Sequence, residues 1–184
     1  MVQKRDNLRL RIILLLLREK SHVRGIAEKL GESHSTIQRR LKELVSENVL
    51  DYKQEGKNKT FFIRKNLQAK NYVFSAERYN QIMLLKKYPK LNVIAEEILR
   101  KCGERIIVIF GSYSKYKAKA DSDIDVYIET EDSNVKKEVE SIHSKINVKI
   151  GKFDPSSELI KELVKNHVIL RGAEEFYEKT GFFE

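Results

Sequence analysis

RIIVIFGSYSKYKAKADSDIDVYIE, residues 105–129, decides how the second half of this chain is read. It opens with a β-branched apolar run suited to a central strand, breaks at Gly111-Ser112, and later becomes strictly alternating. From 123 to 129, Asp123, Asp125 and Tyr127 alternate with Ile124, Val126 and Ile128, which predicts a half-buried strand carrying two carboxylates on one face. Carboxylates this close repel one another unless a cation sits between them. Oxygen ligands at i and i+2 suit Mg²⁺, which keeps room for waters and phosphates. Asp121 lies before the strand and reads as a cap or turn residue.

Two other motifs are excluded. A calcium loop starting at Asp121 needs glycine where Val126 stands, and GSYSKYK lacks the Gly-Lys-Ser/Thr of a phosphate-binding P-loop.

An apolar strand, Gly-Ser, a gap, then Asp-x-Asp within a strand is similar to the DNA polymerase β-type nucleotidyltransferases, and most of all to their minimal branch, over about residues 91–178. The resemblance implies a mixed sheet flanked by helices. It implies that Gly111 and Ser112 bind the β- and γ-phosphates of a nucleoside triphosphate, expected to be ATP, through Ser112 and the amides at a helix start. Asp123 and Asp125 would be the catalytic pair and the metal ligands, holding two Mg²⁺ ions in an active enzyme. Active relatives add a third carboxylate on a neighbouring strand. Here that strand is KINVKIGKFD, residues 145–154, and Asn147 stands at the acid's position. Asp154 is the substitute candidate, beyond the expected strand end. Members of the minimal branch often act as antitoxins, which adds a toxin-like protein to the expected partners.

Charge divides the chain. Residues 1–66 hold 16 Lys and Arg against 8 Asp and Glu, whereas residues 67–184 hold 20 against 19. Almost all of the +9 net charge therefore sits in the first third, the footprint of a nucleic-acid-binding module. Leu8, Leu10, Ile13, Leu14 and Leu17 form a helical apolar stripe. A short helix from Val23 to Leu30 ends at Gly31. A third helix follows, capped by Ser33 or Ser35, with Ser35 and Gln38 fitting a capping box. Its apolar face is Ile37, Leu41, Leu44 and Val45. Two strands, VLDYKQ and TFFIRK, then flank the turn EGKNK.

Residues 7–65, above all GIAEKLGESHSTIQRRLKELVSENVL, resemble a winged helix-turn-helix. The resemblance implies double-stranded DNA as partner, with Ser35, Thr36, Gln38 and Arg39 reading base edges. Lys42 extends the same polar row. Lys53, Lys57, Asn58 and Lys59 in the wing would hold phosphates.

Between the modules, residues 67–90 read as a helical connector with Tyr79, Ile82, Met83 and Leu85 on an apolar face. Val93, Ile94, Ile98 and Leu99 line the next helix. The run Ile12 to Leu17 is too short to span a bilayer, which needs about 20 residues. Cys102 is the lone cysteine, and the charged start lacks a leader pattern, so the expected setting is the cytoplasm without membrane contact. The expected architecture is α+β in two domains: a winged helix-turn-helix over 1–66, the connector over 67–90, and a minimal nucleotidyltransferase-like domain over 91–184. The expected function is a DNA-binding regulator whose second domain binds Mg-nucleotide with weak or absent transfer. The alternative is an active transferase moving a nucleoside monophosphate from ATP onto a protein or small-molecule hydroxyl. A homodimer through the aromatic tail stays open, with core packing of Phe176, Tyr177, Phe182 and Phe183 the first expectation.

Overall fold

The structure, a computed structural model, describes residues 2–56 and 58–184, with side chains from residue 7 onward. The chain divides into two compact units, Met1–Tyr79 with Phe183–Glu184, and Asn80–Phe182. The described residues form nine helices and two separate sheets, an α+β arrangement.

The first unit contains α1 (Val2–Arg18), β1 (Ser21–His22), α2 (Val23–Leu30), α3 (His34–Ser46), β2 (Leu50–Glu55) and β3 (Asn58–Ile63). The three strands form an antiparallel sheet in the order β1-β3-β2. Gly31 ends α2 in the left-handed region at φ 65°, where a side chain would be strained. On α1 the buried residues are Leu8, Ile12, Ile13 and Leu16, while Leu10, Leu14 and Leu17 are only half-buried. The expected stripe is thus rotated. Residues 12–17 are apolar on every side, so helical spacing alone cannot choose between two faces that both satisfy it.

Ser33, not Ser35, caps α3: its hydroxyl accepts from Thr36 N at 3.2 Å and donates to the Thr36 hydroxyl at 2.7 Å. The Ser35–Gln38 capping box is therefore replaced by a cap two residues earlier. The inner face of α3 is Ile37, Arg40, Leu41 and Leu44. Arg40 is buried because its guanidinium donates to both carboxylate oxygens of Glu43, at 2.7 and 2.6 Å.

Asn66 opens α4 (Leu67–Lys87) by accepting from Ala69 N at 2.8 Å. In the first unit, Ala69, Val73 and Ala76 form its buried face. Arg9 and Glu47 pair beside Tyr72, whose hydroxyl takes a hydrogen bond from Arg9 and gives one to Glu47, both at 2.6 Å. Burial first, and then the bond to Glu47, push the Tyr72 hydroxyl pKa up to about 12. The apolar face expected farther along, Ile82 and Met83, is instead exposed, Ile82 at 62%. Several inner positions on α4 are taken by small or polar residues, Ala76, Glu77 and Asn80, which a search for apolar periodicity passes over, and the buried leucine is Leu84.

The second unit continues with α5 (Pro89–Lys101), β4 (Ile107–Ile109), α6 (Gly111–Ser114), β5 (Ile124–Glu129), α7 (Ser133–Glu140), β6 (Ile146–Gly151), α8 (Glu158–Lys165), β7 (Val168–Arg171) and α9 (Ala173–Lys179). Its sheet runs β6-β5-β4-β7. β4 is antiparallel to both neighbours, and β5 is parallel to β6. A parallel pair needs a crossover, which α7 supplies. Ile124, Val126 and Ile128 join Leu84, Leu91, Ala95, Ile98 and Val139 in one core. Val93, expected to help line α5, stays exposed at 63%.

The other face of β5 is not the solvated face its alternation predicts. Tyr127 is 1% exposed, and an edge-on aromatic series runs from it through Phe153 to Phe176. Asp125 and Glu129, on either side of Tyr127 along that face, are half-buried. Phe176 and Tyr177 are buried, Phe182 packs on Tyr177, and Phe183 is half-buried. Among the described residues no helix is long and apolar enough to cross a membrane.

Ser33→Ala should destabilise the first unit by about 1 kcal/mol, the usual value of an N-cap side chain. Ser35→Ala should be near neutral. Denaturant unfolding of the two variants checks the assignment, and the reverse order would return the cap to Ser35.

Candidate functional site

Three segments meet at one end of the second sheet: the exit of β4 and the starts of β5 and β6. Phe110 N donates to Asp125 O at 3.0 Å, continuing the β4–β5 pairing past Ile109 and Val126. This brings Gly111 against the Asp125 side chain. Gly111 has φ 68°, and a Cβ placed there would overlap Asp125 Oδ2. Two constraints therefore act on one residue: a left-handed backbone and no room for a side chain. Ser112 follows in the first turn of α6, half-buried.

Asp125 is half-buried within β5, and Asp123 stands exposed one residue before the strand. Asp121 is exposed in the preceding turn. On β6, Asn147 lies in register with Asp125 and donates Nδ2 to its Oδ1 at 2.9 Å. The neighbouring-strand position read from the sequence is thus where an amide touches a carboxylate. Asp154 lies after β6, exposed, and accepts from the Ser156 backbone at 2.8 Å and the Ser156 hydroxyl at 2.7 Å. Those bonds hold its carboxyl below the usual aspartate range. It serves the turn into α8.

Some supporting residues carry no sequence signal. Ser114 is fully buried; its hydroxyl can bond Gly111 O at 3.0 Å and Asn166 O at 3.2 Å, tying α6 to the end of α8. Tyr116 takes a left-handed φ of 57° and donates its hydroxyl to Asn80 Oδ1 at 2.8 Å. Asn80 in turn donates to His167 O at 3.2 Å. The segment after Gly111 is therefore fixed from two sides by buried polar groups. Each is an ordinary Ser, Tyr or Asn until the fold places it.

Asp123 and Asp125 form an all-oxygen, anionic donor set of the kind Mg²⁺ takes. The missing Cβ at Gly111 leaves Asp125 Oδ2 clear of side-chain atoms from that residue. The pair fits a cation whose other positions go to water and phosphate. Among the described residues no cluster of three or more Asp, Glu, His or Cys is placed to hold a metal.

In the first unit, Ser35, Gln38, Arg39 and Lys42 are exposed on the outer side of α3, and Thr36 is half-buried by its bond to Ser33. Lys53, Asn58 and Lys59 are exposed on the β2–β3 hairpin, whereas Lys57 lies outside the described residues. The hairpin register pairs Lys53 with Thr60 and Gln54 with Lys59, so Lys53 and Lys59 project from opposite faces. Lys59 Nζ sits 3.9 Å from the centre of the Tyr52 ring, on the Tyr52–Phe61 face.

The family model for polymerase beta, nucleotidyltransferase, matches residues 92–175. No curated protein matches the chain. The second unit is thus similar to that family over most of its length, and the matched span contains Gly111, Ser112, Asp123, Asp125 and Asn147.

Gly111→Ala should cost at least about 1–2 kcal/mol for the left-handed backbone alone, and it should also displace Asp125. Gly103→Ala, where a Cβ meets nothing within 4 Å, should be near neutral. Thermal melts of the two variants test this; equal stabilities would contradict both the left-handed backbone at Gly111 and its close approach to Asp125.

Proposed function

We propose that the chain is a DNA-binding regulator. Its first unit acts as a winged helix-turn-helix, and its second binds Mg-nucleotide with weak or absent transfer. The observation carrying the second part is the bond from Asn147 Nδ2 to Asp125 Oδ1, at the position where a third acid would act. Mg²⁺ held by Asp123 and Asp125 would supply positive charge for the phosphates of a nucleoside triphosphate, expected to be ATP. Gly111 lies against Asp125, and in this reading its amide, with the amide and hydroxyl of the following Ser112, donates to phosphate oxygens. Transfer would require an acceptor hydroxyl to attack the α-phosphorus, release pyrophosphate and give up a proton. Asn147 has no basic oxygen for that proton, and general-base assistance is worth about 10²- to 10⁴-fold in rate.

The first part is supported by charge and exposure. The excess of basic residues in 1–66 accompanies an outward polar row on α3 and exposed lysines on the hairpin. In this reading Gln38 and Arg39 reach base edges while Lys53 and Lys59 meet phosphates from opposite faces of the wing.

The intact, accessible Asp123 favours a second reading, an active nucleotidyltransferase acting on a protein partner or a small-molecule hydroxyl. Incubation with ATP labelled at the α-phosphate separates the two. Robust Mg²⁺-dependent transfer, lost in Asp125→Asn, would establish the enzyme over the regulator with a weak site.

Two predictions follow the preferred reading. Duplex-DNA affinity should fall steeply with salt, with a log–log slope of about −5 for six phosphate contacts. Lys53→Ala and Lys59→Ala should each flatten it by about 1, while Gln38→Ala should relax sequence preference. Affinity independent of salt would overturn this. Mg-ATP should raise the melting temperature of the wild type but not of the Asp123→Asn, Asp125→Asn double variant. An unchanged shift in that variant would move the nucleotide elsewhere.

A further inference from the structure

Asn147 does more than leave out an acid. Its Nδ2 points at Asp125 and occupies Oδ1, so one lone-pair direction of the carboxylate is committed within the protein. Asp125 Oδ2 faces Gly111 on the other side. Asp123, two residues earlier and exposed, supplies a second carboxylate just ahead of β5. Asp154, the substitute candidate after the end of β6, is engaged by Ser156. Lys149, two residues beyond Asn147 and exposed, adds a positive charge along the same strand.

We infer that Asn147 makes this a single-ion site: its amide orients Asp125 for one divalent cation and denies a second cation the anionic ligand it needs. The inference rests on the Mg-nucleotide reading above. Two dications held about 4 Å apart repel strongly unless anionic ligands lie between and around them. A neutral amide contributes no such charge. To offer its own oxygen to a metal, Asn147 would have to turn its amide and give up the bond to Asp125. The residue is thus a positioning group for the first ion and an obstacle to the second.

The test counts bound ions without relying on turnover. Mn²⁺ is titrated into the full chain saturated with a non-hydrolysable ATP analogue, and free Mn²⁺ is read by electron paramagnetic resonance. Wild type should saturate with a single ion per chain. Asn147→Asp should take up a second. Asn147→Ala should keep the single-ion count but bind it about 10-fold more weakly, the usual cost of losing a group that orients a ligand. Two ions in wild type would overturn the inference while leaving nucleotide binding intact. Undiminished affinity in Asn147→Ala would overturn the positioning role. Failure of wild type to retain Mn²⁺ with the nucleotide present would overturn the Mg-nucleotide reading itself, and this inference with it. If Asn147→Asp does not fold, judged by its circular dichroism, the wild-type and Asn147→Ala counts still decide.

Discussion

The hydrogen bond from Phe110 N to Asp125 O carries the β4–β5 ladder one residue beyond the last strand pair, and the arrangement at that end of the sheet follows from it. With the two backbones locked there, residue 111 has to turn away at once. It must do so without a side chain, because the Asp125 carboxylate fills that space. A left-handed glycine and a one-turn helix are the outcome. Ser114, itself buried, and Tyr116 then secure the segment with hydroxyls that each find a hydrogen-bond partner. Such partners are needed, since a buried polar group left unpaired would cost more than it contributes. Asp125 is thereby constrained on three sides: backbone to Phe110, one oxygen toward Gly111, and the other bonded to Asn147.

In the first unit, charge is handled in two ways on one helix. Arg40 of α3 is withdrawn into the interior and neutralised by Glu43, so it contributes to packing rather than to an outward field. Arg39, next to it, and Lys42, two residues on, face solvent. Counting basic residues along the sequence treats all three alike, yet only the exposed two can act on a partner. The same distinction divides the hairpin, where Lys59 lies over an aromatic ring and Lys53 projects from the reverse face.

What the sequence made legible was whatever depends on local pattern. The β-branched run before Gly111, the alternation through Asp125 and the end of α2 at Gly31 all appear where local rules put them. The resemblance put Asn147 at the position of a third acid on the neighbouring strand, and β6 sets it in register with Asp125. Less legible was anything set by tertiary context. An α1 segment apolar on all sides gave no way to choose its buried face. α4 buries alanine and asparagine while exposing Ile82, so a hydrophobic stripe pointed the wrong way. Tyr127 shared the face expected to be solvated, because nothing local announces the aromatic layer over it. Ser114, whose partners are a carbonyl three residues back and another at Asn166, could be found only once the chain had closed on itself.

The place of β7 bears on how the chain is made. β4 needs β7 along one edge, yet β7 is residues 168–171, close to the C-terminal end of the sequence. During synthesis at about 5–20 residues per second, several seconds pass between the appearance of Ile107 and that of its later partner. β5 and β6 can assemble on the other edge in that interval, with α7 as crossover. The nascent sheet therefore carries, for a time, an open edge of three β-branched residues, Ile107, Val108 and Ile109. An edge of that composition invites pairing with any extended chain nearby. Truncation before residue 168, by premature termination or proteolysis, would make this brief vulnerability permanent.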